Sequence, residues 1–133
     1  MASPASLRRR LAQLLDEHRK LLQAAFEATP LWRGIVHEAR RRCGKPTCHC
    51  VEGKPHVSTI LSDRSASRQR NLALPGKTLE HFRTMTEAYR QVRRKRARIA
   101  VLQREMLEIF DALEAARREG ALKRYGGELP SRR

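Results

Sequence analysis

Along residues 4–28 apolar side chains return at intervals of four and three: Leu7, Leu11, Leu14, Leu21 and Ala25, with Leu15, Leu22 and Phe26 widening the stripe. That period predicts an amphipathic helix with one face buried. Ser3-Pro4 offers an N-cap followed by a first-turn proline. Thr29-Pro30 ends the helix, because proline disfavours helical backbone in the residue before it. His18 keeps the same rhythm and reads as a half-buried stripe residue. A second periodic stretch covers 78–119, with Thr78 as its cap and neither Pro nor Gly from Leu79 to Glu119. Phe82, Met85, Tyr89, Val92, Ile99, Met106, Phe110 and Leu113 follow a heptad, Leu102, Ile109 and Ala116 lie beside it, and Arg96 and Gln103 are its polar members. At 1.5 Å per residue this helix is roughly 60 Å long. A coiled-coil hairpin or a dimer accounts for such a length, and the first helix is expected to pack on residues 99–116, the densest apolar part. Gly120 is expected to stop the helix and leave 120–133 as a flexible tail.

Residues 31–75 lose the helical period. Ile35-Val36-His37-Glu38 starts like a strand, although the basic run Arg40-Arg41-Arg42 weakens that reading. Val57–Leu61 and Arg70–Leu74 alternate on either side of a Ser- and Asp-rich connection, which predicts a β-hairpin. Pro75-Gly76 closes the segment. The expected fold is mainly α: a long coiled-coil helical hairpin with a small inserted module, 31–75, built on a β-hairpin.

Between the weak strand and the hairpin lies CGKPTCHCVEGKPH, residues 43–56, which holds all three cysteines of the chain: Cys43, Cys48 and Cys50. Thiolates with an imidazole suit Zn²⁺, which takes four tetrahedral ligands. Gly44, Pro46 and Gly53-Lys54-Pro55 are turn residues able to fold a short chain around an ion. An odd number of cysteines in a reducing, cytoplasmic setting argues against disulfides, and a [4Fe–4S] cluster ordinarily takes a fourth Cys. His56 is the favoured fourth ligand. His37 is the alternative if its strand pairs with the hairpin, while His49, between two ligands, has to point away. A closed Cys3His site leaves no position for water, so the expected zinc is structural, and a module this small depends on it for folding.

Charge adds a location. The chain carries 29 Lys and Arg against 14 Asp and Glu, a formal charge of +15 over 133 residues. Residues 33–98 hold 17 of the basic residues and 5 of the acidic ones, a net of +12, while the remainder nets +3. Self-repulsion of that size points to a polyanionic partner. Arg90, Arg93, Arg94 and Arg98 share a helix face at spacings of three and four, with Lys95 beside them. Arg40, Arg41, Arg42 and Lys45 flank the cysteines, and Arg64, Arg68 and Arg70 decorate the hairpin. Together they form an expected phosphate-tracking surface for nucleic acid. Trp32, Tyr89 and Tyr125 are too scattered to make a stacking platform for bases. No stretch reaches the roughly 20 apolar residues of a membrane span, and no secretion leader is evident. No Ser/His/Asp set, Gly-rich phosphate loop or paired carboxylates near the metal motif can be found, so no enzymatic activity is expected.

The run Cys43-Gly44-Lys45-Pro46-x-Cys48-x-Cys50, with Gly53 and His56 after it, resembles a bacterial family of uncharacterised function that carries the same Cys-Gly-Lys-Pro-x-Cys-x-Cys…His motif. The resemblance is specific over residues 34–75 and reaches the flanking helices only by pattern. It implies a zinc knuckle between helices and, because members are often encoded beside transposase or integrase genes, an accessory role in a mobile element. DNA is then the favoured nucleic acid, a homodimer through the helices the expected assembly, and a recombinase or transposase an alternative protein partner for an adaptor. After His56 this chain has Val57-Ser58-Thr59 where similar proteins tend to carry aromatic residues.

Overall fold

The computed structural model describes residues 2–131. Its elements are α1 (Pro4–Leu22), a 3-10 turn (Gln23–Phe26), β1 (Gly34–Arg41), a 3-10 turn (His49–Glu52), β2 (His56–Asp63), β3 (Arg70–Ala73), α2 (Gly76–Tyr125) and a last 3-10 turn (Gly126–Glu128). They divide into two compact units, residues 1–27 with 94–133, and residues 28–93. Among the described residues, no helix is long and apolar enough to cross a membrane.

The first unit is an antiparallel helical pair. Ser3 caps α1 by accepting from the Ser6 amide at 3.2 Å, ahead of Pro4. Leu14, Leu102 and Ile109 form a buried cluster, with Leu7, Leu11, Leu21, Met106 and Leu113 packed around it. α1 therefore docks on the apolar stretch of α2 that its sequence marks. The seam runs 102, 106, 109 and 113. Phe110 sits one step off this seam and is 62% exposed, and so are Leu15 and Leu22 of α1 and Phe26 of the 3-10 turn after it, at 53%, 43% and 88%. The wide stripe of the sequence thus narrows to one face. His18 is half-buried, its Nε2 3.5 Å from Gln103 Nε2.

α2 does not stop at Gly120. It runs on to Tyr125, and Gly126-Gly127 begins the terminal turn. A lone glycine inside a helix costs only about 1 kcal/mol, and Glu119 bridges it to Lys123 at 2.6 Å. The tail expected from residue 120 is thus helical as far as 125, while 132 and 133 lie outside the described residues. Thr78 is not the cap either. It lies inside the first turn of α2, where its hydroxyl donates back to the Pro75 carbonyl at 3.1 Å.

The second unit contains a three-stranded antiparallel sheet ordered β1-β2-β3, one strand more than a hairpin. β1 is a full strand, pairing Gly34 with Asp63 through Arg41 with His56. Arg40 and Arg41 are compatible with it because β1 is an edge strand and both side chains stay in water. At Gly34 the strands approach so closely that a Cβ would stand 2.6 Å from the Ser62 carbonyl oxygen. Ile60 and Leu61 are buried in β2. Trp32 joins the sheet to α2: its ring meets Phe82 edge-on at 5.1 Å, and its amide donates to the Met85 carbonyl at 3.1 Å. Its indole Nε1 donates to Asp63, a carboxylate only 1% exposed.

Candidate metal centre and its basic surroundings

The register that pairs Arg41 with His56 leaves residues 42–55 as the connection between β1 and β2. A connection of this length without regular structure of its own is uncommon in a compact unit. Its fold comes from Gly44 and Gly53, both with left-handed φ, +80° and +91°, and from the 3-10 turn at His49–Glu52. Cys43 stands just past β1, Cys48 and Cys50 at the turn, and His56 at the first residue of β2.

These four residues come together. One Sγ or imidazole nitrogen from each lies within 4.8 Å of the others. Cys43 Sγ is 3.6 Å from Cys50 Sγ, and Cys48 Sγ is 3.0 Å from His56 Nε2. A tetrahedron of thiolates at about 2.3 Å from Zn²⁺ has S···S edges near 3.8 Å, so the donors stand at coordination spacing. The Cys43 amide points at Cys50 Sγ at 3.5 Å, the kind of outer hydrogen bond that metal-bound thiolates accept. Cys50 is fully buried and Cys43 exposed, and none of the three cysteines is in a disulfide. The Cys43 thiol is pushed down to about 6, first by the Lys45 backbone amide and then by His56 and the other two sulfurs. The backbone amide of Cys50 favours the Cys48 thiolate, but burial and the neighbouring sulfurs of Cys43 and Cys50 outweigh it and push that thiol up.

The structure selects among the histidines. His37 pairs with Ile60, four residues along the strand from the position opposite His56, and lies outside the cluster. His49 also falls outside the four donors but stays close to them. Its ring packs edge-on to His56 at 4.9 Å, with Nδ1 3.8 Å from Cys48 Sγ.

The basic residues sort differently from their expected list. Arg41, Arg42 and Lys45 border a surface cavity of about 610 Å³ together with Cys43, Cys48 and His56. Arg40 is exposed on the same strand end. In the second unit, Arg64 and Arg68 occupy the β2–β3 connection, whereas Arg70 is drawn onto buried Asp63 at 2.6 Å. The 90–98 helix face meets acids in space. Glu17 holds Arg98 at 2.7 Å, Glu27 meets Lys95 at 3.7 Å, and Glu87 reaches Arg90 at 3.3 Å. Arg93 and Arg94 make no ion pair among the described residues. A reading confined to sequence neighbours could not see Glu17 and Glu27. Trp32 is the one tryptophan of the chain and Asp63 the one aspartate of residues 33–98, and nothing in their spacing signals that they pair.

A small antiparallel sheet carrying a Cys3His donor cluster, with a helical pair built from the two ends of the chain, is what fold and site define. Residues 5–84 match the family described as a domain of unknown function (DUF6788), so the chain belongs to that family. No curated protein and no solved structure matches it.

Proposed function

We propose that the protein is a zinc-stabilised, non-catalytic nucleic-acid-binding protein that acts on DNA as an accessory factor of a mobile element. The observation that carries the binding reading is the uncompensated charge around the Cys3His cluster. Arg40, Arg41, Arg42 and Lys45 stand exposed at one end of the sheet with no ion pair among the described residues. Arginine suits phosphate because its planar fork donates two parallel hydrogen bonds. Zinc on Cys43, Cys48, Cys50 and His56 fixes the 42–55 connection and so the direction in which Arg42 and Lys45 project, while β1 holds Arg40 and Arg41. A closed set of four protein ligands gives the metal a structural role. DNA and the mobile-element role rest on the motif resemblance.

Arg64, Arg68 and Arg93 form a second basic group at the opposite end of the sheet, where Arg64 and Arg93 line one cavity. Phosphate contacts from such groups give affinity with little sequence information. Homodimerisation as a coiled coil would cover Leu15, Leu22 and Phe26, which are exposed in the single chain. The same residues favour a second reading, an adaptor that grips a recombinase or transposase through its helices.

A gel-shift titration of the zinc-loaded protein against duplex DNA across salt separates the two. Binding that falls steeply with salt, and is lost in the quadruple variant Arg41→Glu, Arg42→Glu, Arg93→Glu and Arg94→Glu, supports the first. No shift at low salt leaves the adaptor.

A further inference from the structure

A second concave site lies in the 28–93 unit, built by residues from three separate stretches of chain. Arg33 precedes β1, Arg64 follows β2, and Tyr89, Arg90 and Arg93 come from α2; together with Ile35 they line a cavity of about 380 Å³. The two non-helical arginines are fixed to one another, since the Arg64 amide donates to the Arg33 carbonyl at 2.9 Å. Arg93 is four residues from Tyr89 and three from Arg90, so it neighbours both on the helix surface. No carboxylate lines the cavity. Glu87 meets Arg90 at 3.3 Å from the preceding turn, while Arg33, Arg64 and Arg93 have no acidic partner among the described residues. Three arginines without an acidic partner, Arg33, Arg64 and Arg93, line one hollow beside the paired Arg90, and an anion entering it relieves their mutual repulsion.

We infer that this cavity takes one nucleotide of a single nucleic-acid strand, its phosphate among Arg33, Arg64 and Arg93 and its base against Tyr89. The inference rests on the nucleic-acid reading above and narrows it. Three features decide for a nucleotide over a run of duplex backbone. A duplex offers a long convex ridge of phosphates, suited to an extended basic surface, whereas this site is a single half-open depression. Its volume falls in the range of small-ligand pockets, roughly 300–1,000 Å³. And it places a half-buried aromatic ring beside the cations, the pairing of stacking face and positive charge that holds single strands. Arg33 and Tyr89 thereby gain a role that neither charge runs nor aromatic spacing suggests. The site is formed without the Cys3His residues.

The test uses the full zinc-loaded chain with a fluorescein-labelled single-stranded deoxyoligonucleotide, the matching duplex, and free dAMP as competitor. Arg33→Ala with Arg93→Ala should weaken single-strand binding by at least roughly tenfold, and Tyr89→Leu by a similar factor. Tyr89→Phe should bind like the parent, because the ring is retained. Free dAMP should displace the single strand from the parent and have no effect on the arginine variant. Zinc content and Trp32 emission report that each variant is folded. Unchanged single-strand affinity in the arginine variant or in Tyr89→Leu overturns the inference. So does a loss in the arginine variant that is equal for duplex and single strand while dAMP fails to compete. In these cases the parent still binds DNA and the wider reading stands. A parent that binds neither form of DNA removes the wider reading and this inference together.

Discussion

The indole Nε1 of Trp32 donates a hydrogen bond to Oδ1 of Asp63 at 3.0 Å, and the two residues fasten the start of β1 to the end of β2. Asp63 also accepts from the Ser65 amide at 2.9 Å and from Arg70 at 2.6 Å, so a buried carboxylate is satisfied from three directions. Removing it leaves the indole N–H and the turn amide without a partner, and a lost partner inside a buried network is among the costlier single changes. Asp63→Ala is expected to lower the melting temperature by on the order of 10 °C, whereas Trp32→Phe, which keeps the ring against Phe82, lowers it less. Thermal unfolding followed by circular dichroism checks both. Equal losses in the two variants would show that the Ser65 and Arg70 bonds add nothing beyond the Trp32–Asp63 hydrogen bond that both variants lose.

The same carboxylate sets an acid limit. Hydrogen bonds from Ser65, then Arg70 and Trp32, hold Asp63 well below the ordinary carboxylate range. A group whose folded pKa is depressed contributes stability above its unfolded pKa of about 3.9 and loses it as pH falls toward the folded value. The part of the stability that Asp63 supplies should therefore be constant from neutrality to about pH 5 and fall below about pH 4, so that Asp63→Asn declines less steeply than the parent in that range. Urea midpoints across pH measure this, and parallel slopes for parent and variant would remove Asp63 as the cause.

Chelation gives the sharpest test of the Cys3His centre. The 42–55 connection has little apolar material to hold it, since Cys50 is its one buried residue. Metal removal should release the connection and expose Cys50 to alkylation. Cys43, exposed and with its thiol at about 6, should then react first. Cys50→Ala and His56→Ala should abolish stoichiometric zinc, measured by elemental analysis of purified protein. His49→Ala and His37→Ala should retain it. Zinc retained in full by His56→Ala would place the fourth ligand elsewhere.

What the sequence discloses here depends on how local the physics is. The Cys3His set was legible because its members fall within residues 43–56 and metal chemistry restricts which side chains can cluster. The docking of α1 on the far half of α2 was legible from apolar spacing. The third strand was less so, because the charges at Arg40 and Arg41 mask a strand whose evidence is its pairing with Val57 and His56. The salt bridges from Glu17 and Glu27 join residues 81 and 68 positions apart, and no run of neighbouring letters contains them.

The narrow seam of the helical pair makes a contrast between neighbouring residues. Leu102 is fully buried and Phe110 is 62% exposed, although both belong to the apolar stripe of the sequence. Leu102→Ala should cost about 2–5 kcal/mol through lost burial and the cavity left behind. Phe110→Ala should stay within about 0.5 kcal/mol, as for other surface changes. Chemical denaturation of the two variants at low protein concentration reads the difference. A large loss at Phe110 would mean that this face is covered in the folded species.

The antiparallel pairing has an electrostatic register of its own. Arg98 Nε and Nη2 reach the two oxygens of Glu17 at 2.7 and 3.0 Å, and seven residues away on each helix Arg10 meets Glu105 at 2.8 Å with the signs exchanged. Shifting one helix by a heptad in either direction breaks at least one of these pairs, so the charges select the alignment that the leucines alone leave degenerate. Glu17→Arg sets two guanidiniums face to face, and Arg98→Glu two carboxylates. Each single variant should lower the melting temperature by roughly 2 °C, a small value because the pairs are exposed. The double reversal should recover most of the loss. That recovery should fade in about 1 M salt, where screening acts over roughly 3 Å. Additive losses in the double variant at low salt would show that Glu17 and Arg98 do not interact, and that packing around Leu14 and Leu102 sets the register without them.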